Sequence, residues 1–297
     1  MRSGWFQVAF ERELSHDVTT LEIEKPLIAV RTGRELRVFD AVCPHRGAHL
    51  GHGGRVDRDA IVCPFHGHRI RLGASDDAAL CIAEHPVLRV GGLVFVWLSN
   101  HVPTDLPAIL AELDMDHYFI PGFSMTVPAP AELVIENGFD AAHFQPVHAL
   151  CRPPVLAVVS HTASELRAEG RFAIPPSRWQ RSASSELEVP YTARGLSPGV
   201  ILSHLGGQHP YHVLTAATPI GPRASIVRLS LILPPTPAGT APDHADCEYL
   251  LEQSRAGLEN DLAIWRNLAT SAPQRFHDGD GPVVEFIQFV RRFPVVP

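Results

Sequence analysis

Short apolar runs broken by turn residues fill the first part of the chain. LIAVRTGRELRVFDAV (27–42), AIVCPF (60–65) and LVFVWL (93–98) are β-branched or apolar and predict strands with turns between them. The later chain continues in kind. VILSHLG (200–206), YHVLTAATPI (211–220) and ASIVRLSLILPP (224–235) predict an antiparallel sheet punctuated by Pro- and Gly-rich turns. The period then changes. In EYLLEQSRAGLENDLAIWRNLA (248–269), Leu251, Leu258, Leu262, Trp265 and Leu268 recur at helical spacing, which predicts a long amphipathic helix over roughly 245–269. Between sheet and helix, PPTPAGTAPDHAD (234–246) reads as a mobile surface loop. No repeat or low-complexity tract appears. The expected class is α+β, with an all-β N-terminal part and a sheet-plus-helix C-terminal part.

Bulk composition narrows the function classes. The chain has 297 residues, more than one core usually serves, so two domains are expected. A net charge of -7 gives no broad basic field for nucleic acid or acidic lipid. Lys25 is the only lysine, which reads as compositional bias toward arginine. The start MRSGWFQVAF lacks the apolar core and cleavage site of a signal peptide, and no run of 18 apolar residues predicts a membrane span. Five cysteines make an unpromising disulfide framework. A reducing, cytoplasmic setting is expected, with cysteines free to act as ligands.

Two segments supply such ligands. Cys43-Pro-His45 and Cys63-Pro-Phe-His66 each offer one thiolate and one imidazole, with 17 residues between His45 and Cys63. Two cysteines and two histidines also suit zinc, but zinc pairs usually come as Cys with Cys and His with His. A mixed pair on each of two loops suits a [2Fe–2S] cluster of Rieske type, with two Cys on one iron and two His on the other. Gly47 and Gly67 allow positive φ or close backbone approach, and Pro44 and Pro64 stiffen the loops. His49, His52 and His85 read as exposed or satisfied histidines, and Cys81 and Cys151 as buried free thiols.

The second half carries another donor set. Asp140, His143 and His148 stand in D-x2-H-x4-H spacing within ELVIENGFDAAHFQPVHAL. On a helix Asp140 and His143 share a face, whereas His143 and His148 do not. A bulge, or a break at Pro146, would bring the two imidazoles together. A non-haem Fe(II) oxygenase site needs two His and one carboxylate with open positions. Asp261 falls inside the apolar stripe of the long helix, where an unpaired carboxylate would be costly and ligation would remove the cost. Solvent or an arginine could serve Asp261 instead. Glu259, Asp246 and Asp278 are the other carboxylates considered.

These motifs resemble a known family. C-P-H-R-G followed by C-P-F-H-G, with GWFQVAF and AVRTGRELRVFDAVCPHRG leading in, resembles the Rieske domain of Rieske non-haem iron oxygenases over roughly residues 1–104. His68 departs from it, standing where the family usually has an aromatic residue; it is expected beside the cluster without ligating it. E-N-x-x-D-x-x-H-x4-H resembles the mononuclear iron segment of the α subunits. The end, NDLAIWRN…DGDGPVVEFIQFVRRF, is similar to the branch with 3-ketosteroid 9α-hydroxylases and cholesterol 7-desaturases.

The resemblance implies a Rieske domain at 1–104 and a helix-grip (START-like) catalytic domain at 105–297. It implies cluster ligands Cys43, His45, Cys63 and His66, iron ligands His143, His148 and Asp261, and Asp140 as a bridge. Asp140 would join a ligating histidine to His45 or His66 of a neighbouring subunit, in a trimer. Asn137 and Glu136 would support that network or serve a helix start. Electrons would come from NAD(P)H through a flavin reductase, with or without a ferredoxin, and O2 would be co-substrate. The arginines Arg46, Arg55, Arg58, Arg69 and Arg71 would form a docking surface or simply a solvated one. The expected reaction is monooxygenation of a hydrophobic, polycyclic or steroid-like molecule: hydroxylation, demethylation or desaturation. Cis-dihydroxylation of an aromatic ring is the alternative reaction. A Rieske electron carrier without oxygenase activity and a hydrolytic zinc enzyme are the alternatives of other classes.

Overall fold

The computed structural model describes residues 1–73, 80–99, 104–180, 186–269 and 272–296. Eleven strands come first: β1 (Gly4–Phe10), β2 (Val18–Leu21), β3 (Leu27–Thr32), β4 (Glu35–Asp40), β5 (Arg55–Asp57), β6 (Ala60–Val62), β7 (Arg69–Leu72), β8 (Cys81–Ile82), β9 (Glu84–His85), β10 (Val87–Val90) and β11 (Leu93–Leu98). They form three small sheets, ordered β1-β11-β10, β2-β3-β4-β9 and β5-β6-β7-β8. The predicted strand at 27–42 is a hairpin of β3 and β4.

The later chain holds α1 (Leu106–Asp114), β12 (Tyr118–Val127), α2 (Ala131–Glu136), α3 (Phe144–His148), β13 (Leu156–His161), β14 (Leu166–Ile174), β15 (Leu187–Ser197), β16 (Val200–Leu205), β17 (Tyr211–Gly221), β18 (Ala224–Leu233), α4 (His244–Trp265) and α5 (Gly281–Arg291). Its seven strands make one antiparallel sheet, ordered β12-β18-β17-β16-β15-β14-β13. This α+β arrangement is the expected one. The loop before α4 is shorter than expected, because His244, Ala245 and Asp246 already belong to the helix. Asp243 caps it by accepting the Ala245 N–H at 2.8 Å. The buried stripe of α4 is Cys247, Leu250, Leu258 and Trp265, with Leu251 and Leu262 partly buried. Leu268 lies beyond the helix and is exposed, so it is no part of the stripe.

The continuous apolar runs of β1 and β11 have a physical reason. Every residue of both strands is buried. Side chains alternate across a strand, and the two faces meet different cores. Phe6, Val8, Val94, Val96 and Leu98 pack with Leu27, Leu36 and Val38. Trp5, Phe10, Leu93, Phe95 and Trp97 join the core of the large sheet. β1 is an edge strand, and its outward backbone groups are met by side chains from that sheet. Ser197 Oγ accepts the Trp5 N–H (2.9 Å) and donates to the Trp5 carbonyl (3.0 Å). The Gln7 carbonyl accepts from Thr218 Oγ1 (2.6 Å) and from buried Arg228 Nη1 (2.9 Å).

On the same large sheet, His204 of β16 faces His212 of β17 across the strand pair, with ring centroids 4.6 Å apart. His117 lies 5.6 Å from His212. Burial, then the neighbouring His204, His117 and Arg194, push His212 down to about 4. Burial, then His117, also lowers His204.

Two outcomes are expected. Ser197→Ala leaves two buried backbone groups without a partner, and equilibrium urea unfolding will show a loss of roughly 2 kcal/mol or more. The second concerns acid. An unfolded His212 takes up a proton near its ordinary pKa of about 6.5, while the folded one resists until about 4. The unfolded state then binds more protons, so stability falls as pH drops through that window, on the order of 2 kcal/mol. His212→Gln will flatten the pH dependence of the unfolding midpoint between those limits.

Candidate active site

The two Cys–His segments fold into loops with matched hydrogen bonds. The Cys43 N–H donates to the Ala48 carbonyl (2.8 Å), and the Cys63 N–H to the His68 carbonyl (2.9 Å). The Gly47 N–H returns to the Cys43 carbonyl (2.9 Å), and the Gly67 N–H to the Cys63 carbonyl (3.0 Å). Gly47 and Gly67 take φ of +75° and +71°, and a Cβ at either would meet nothing within 4 Å. Backbone conformation, not space, asks for glycine there. His45 lies two residues after its cysteine and His66 three after its own, yet the rings converge to 4.8 Å.

Polarity is graded across these loops. Cys43 and Cys63 are each 2% exposed and pack on Ile28, Phe39, Leu50, Ile61 and Ile70, whereas His45 and His66 face solvent. A site with one metal deep among thiolates and another at the surface among imidazoles fits this gradient. Burial pushes the Cys63 thiol up. The backbone N–H groups of Phe65 and His66 and the Cys43 side chain outweigh it, and the net direction is down, toward thiolate. Desolvation, then the His68 and His66 rings, hold His45 low, toward the neutral form a metal needs.

His68 sits edge-on to His45 at 4.5 Å and 6.0 Å from His66, beside the ligand set as expected. Sequence reading passed over Phe65, which is 61% exposed and lies against the His66 ring at 3.8 Å. The signal was its place between Pro64 and a ligand histidine. The arginine patch is partly neutralised: Arg69 pairs with Asp57 and Asp59, and Arg71 with Asp59. His85 is satisfied by Asp40 at 2.8 Å, and His49 accepts the Gly51 N–H. Cys81 and Cys151 are free thiols, half-buried and not fully buried.

The second donor set converges from both ends of the C-terminal part. His143 Nε2 and His148 Nε2 are 3.1 Å apart. Asp261 Oδ1 lies 3.3 Å from His148 Nε2 and 3.9 Å from His143 Nε2. Three donors on one metal at right angles, with bonds of about 2.1 Å, stand about 3 Å apart, so these residues fit a facial triad. The His143 ring donates from Nδ1 to the Asp140 carbonyl (2.6 Å), which leaves the Nε2 lone pair for the site. Burial lowers His143, against the raising effects of the Asp140 carbonyl and the Asp261 and Asp140 charges.

Pro146 does not break the chain between the imidazoles, because His143 to His148 is one short helix with its N-cap. Asn137–Phe139 is a 3-10 turn, Asp140 is extended (φ -83°, ψ 95°), and His143 caps α3. Pro146 sits in the first turn of α3, where a missing N–H costs little. Ala149 at φ +54° then ends the helix. Asp140 Oδ1 accepts the Ala142 N–H (3.0 Å) and Oδ2 lies 3.7 Å from His143 Nδ1, with its side chain 34% exposed. Glu136 is the last residue of α2 and the N-cap of the 3-10 turn that follows, where its side chain makes no capping bond. Burial and then the Asp140 charge push Glu136 up to about 7. Of the other carboxylates, Asp246 pairs with Arg178, and Glu259 and Asp278 are exposed; none joins the triad.

The triad opens on a cavity of about 420 Å³ between α4 and the concave face of the sheet. Phe144, Leu150, Phe172, Ile174, Val213 and Trp265 supply its apolar wall. Ser203, Tyr211, Thr215 and Asn137 are among its polar groups.

The model of the family described as "Rieske [2Fe-2S] domain" matches residues 4–86, and that described as "3-Ketosteroid 9alpha-hydroxylase C-terminal domain" matches residues 100–293. This chain is a Rieske oxygenase of that branch. Its cofactors are a Rieske [2Fe–2S] cluster and a mononuclear iron, and it is an oxidoreductase that uses O2. It is 26% identical to a probable 3-ketosteroid-9-alpha-monooxygenase oxygenase component of Rhodococcus rhodochrous, over 98% of this chain and 79% of that one. It is 27% identical to cholesterol 7-desaturase of Drosophila melanogaster over 49% of this chain, which spans only 38% of that relative. The fold is shared with dicamba monooxygenase bound to 3,6-dichlorosalicylic acid (TM-score 0.71, 18% identity, 98% of this chain and 96% of that one). It is shared also with the oxygenase in a reduced complex with ferredoxin in carbazole 1,9a-dioxygenase (TM-score 0.70, 17% identity, 98% and 88%). Among the described residues no helix is long and apolar enough to cross a membrane.

Asp261→Ala will remove one donor from the triad and none from the cluster loops. Metal analysis of the purified variant should show loss of the mononuclear iron with the visible cluster spectrum retained. Full iron retention would place the third ligand elsewhere.

Proposed function

We propose that this Rieske oxygenase inserts one oxygen atom into, or desaturates, a steroid-like polycyclic substrate held in the 420 Å³ cavity. The observation that carries this reading is the triad of His143, His148 and Asp261 opening on an apolar cavity in a chain that also bears the paired Cys–His loops. An electron carrier has no use for such an opening. The relatives support the steroid reading: one is a ketosteroid monooxygenase component and another a cholesterol desaturase.

In this reading residues 1–104 form the cluster domain and 105–297 the catalytic one. Cys43, His45, Cys63 and His66 hold the cluster; His143, His148 and Asp261 hold the iron. When bound, these groups supply electron delivery and activation of O2. The protein's own part is positional. The Asp140 carbonyl fixes the His143 tautomer, while its half-exposed carboxylate stays available for a partner histidine. That partner is His45 or His66 of a neighbouring subunit, which implies a closed ring, a trimer. Phe144, Phe172 and Trp265 exclude water and seat the apolar substrate. A ferredoxin or flavin reductase fed by NAD(P)H serves as donor, as the carbazole dioxygenase–ferredoxin complex suggests. The setting is the reducing cytoplasm.

The test uses anaerobically purified protein. Iron and acid-labile sulfide should come to about three and two per chain, with a Rieske-type EPR signal after dithionite. Reduced protein given O2 should re-oxidise its cluster faster with a steroid present and yield an oxidised steroid. Asp140→Ala should keep both metals yet slow that re-oxidation at least tenfold. Two irons, with the second site still empty after Fe(II) is added back, would point to an electron carrier.

A further inference from the structure

The cavity wall carries a hydrogen-bond device whose direction can be worked out. Tyr191 of β15 is stacked on Phe172 at 4.0 Å and lies buried in the cavity wall. Its hydroxyl lies 3.0 Å from the Gly138 carbonyl and 3.2 Å from Ser203 Oγ. A carbonyl can only accept, so the single Tyr191 proton goes to Gly138. The contact with Ser203 is then a hydrogen bond only if Ser203 donates to the Tyr191 oxygen. Burial pushes Tyr191 up to about 12, so the phenol stays protonated and the arrangement persists at neutral pH.

Ser203 therefore has no proton left for the cavity it lines. Among the described residues Ser203 Oγ has no other hydrogen-bond partner. What it presents to a ligand is a lone pair. At Gly138 the backbone passes close to β16, where a Cβ would meet Ile201 Cδ1 at 2.2 Å. The Thr215 and Tyr211 hydroxyls also line the cavity, but each can donate or accept, so neither imposes a direction.

We propose that Ser203, polarised through Tyr191 and the Gly138 carbonyl, is an acceptor that selects substrates bearing a hydroxyl or N–H over otherwise identical ketones. The inference rests on the steroid-cavity reading for the ligand's scaffold, and on the hydrogen-bond geometry alone for its functional group. A ketone oxygen placed against Ser203 would face a lone pair, which costs affinity because neither oxygen has a proton to share.

The test is equilibrium binding to the metal-loaded protein, read by tryptophan fluorescence, since Trp265 lines the cavity. Two matched ligand pairs are used: a saturated 3-hydroxysteroid with its 3-ketone, and 2-tetralol with 2-tetralone. Wild type should bind each alcohol about 3- to 10-fold more tightly than its ketone, the span of one net hydrogen bond. Ser203→Ala should erase the difference by weakening the alcohol. Tyr191→Phe frees the Ser203 proton, so the ketone should bind more tightly than in wild type. The visible cluster spectrum checks that each variant is folded; if Tyr191→Phe is not, Ser203→Ala alone decides. Equal binding of alcohol and ketone by wild type, or a preference that survives in Ser203→Ala, overturns the proposal. Discrimination between the tetralin pair with no steroid binding would remove the steroid reading and leave the acceptor standing. No binding of either pair would overturn both.

Discussion

The molecule depends on one ribbon of backbone having two sides. β1 and β11 send alternate side chains into different cores, so neither half of the chain completes its packing without this ribbon. An edge strand placed there would leave buried N–H and C=O groups unmet, at a cost comparable to several lost hydrogen bonds. Ser197, Thr218 and Arg228 of the large sheet meet them instead. The result is a fixed relation between the N-terminal sheets and the large sheet.

Against that frame the two candidate donor sets are built in opposite ways. The cluster loops bury their thiols and expose their imidazoles, so the histidine side is where a partner can approach. The triad does the reverse: its donors face an inner cavity, and the Asp140 carboxylate beside it is half-open. His143 belongs to both surroundings, with Nε2 toward the triad and Nδ1 bonded to the Asp140 backbone. One imidazole ring thus joins the dry side of the site to its wet side.

Legibility in the sequence followed distance along the chain. The loops at Cys43 and Cys63 were readable because their ligands, prolines and glycines lie within five residues of each other, and the same backbone turn serves both. The strand runs were readable as strands, but a continuous apolar run does not say which face meets which core. His143 and His148 were readable as donors, while of the two devices expected to unite them, a bulge or a break at Pro146, the break is not found. Sequence spacing marks proline as a breaker, yet the first helical turn tolerates it, and the two histidines stand at opposite ends of one short helix, His143 at the N-cap of α3 and His148 at its last residue. Leu268 fitted the helical period, but the period carries no information about where tertiary packing ends a helix.

The sequence by itself determined the chemistry: thiolate and imidazole in paired loops, and two imidazoles with nearby carboxylates, because ligand type and local spacing are covalent facts. Only the tertiary structure decided which carboxylate closes the triad, that Asp140 turns its carbonyl toward His143, and that Gly138, Tyr191 and Ser203 form a relay in the cavity wall. The triad and the relay join segments far apart in the chain, and even the three-residue contact of Asp140 with His143 depends on a turn that packing fixes. Their meeting is set by how the large sheet packs with α3 and α4 and how the cores fill, and no local pattern records that.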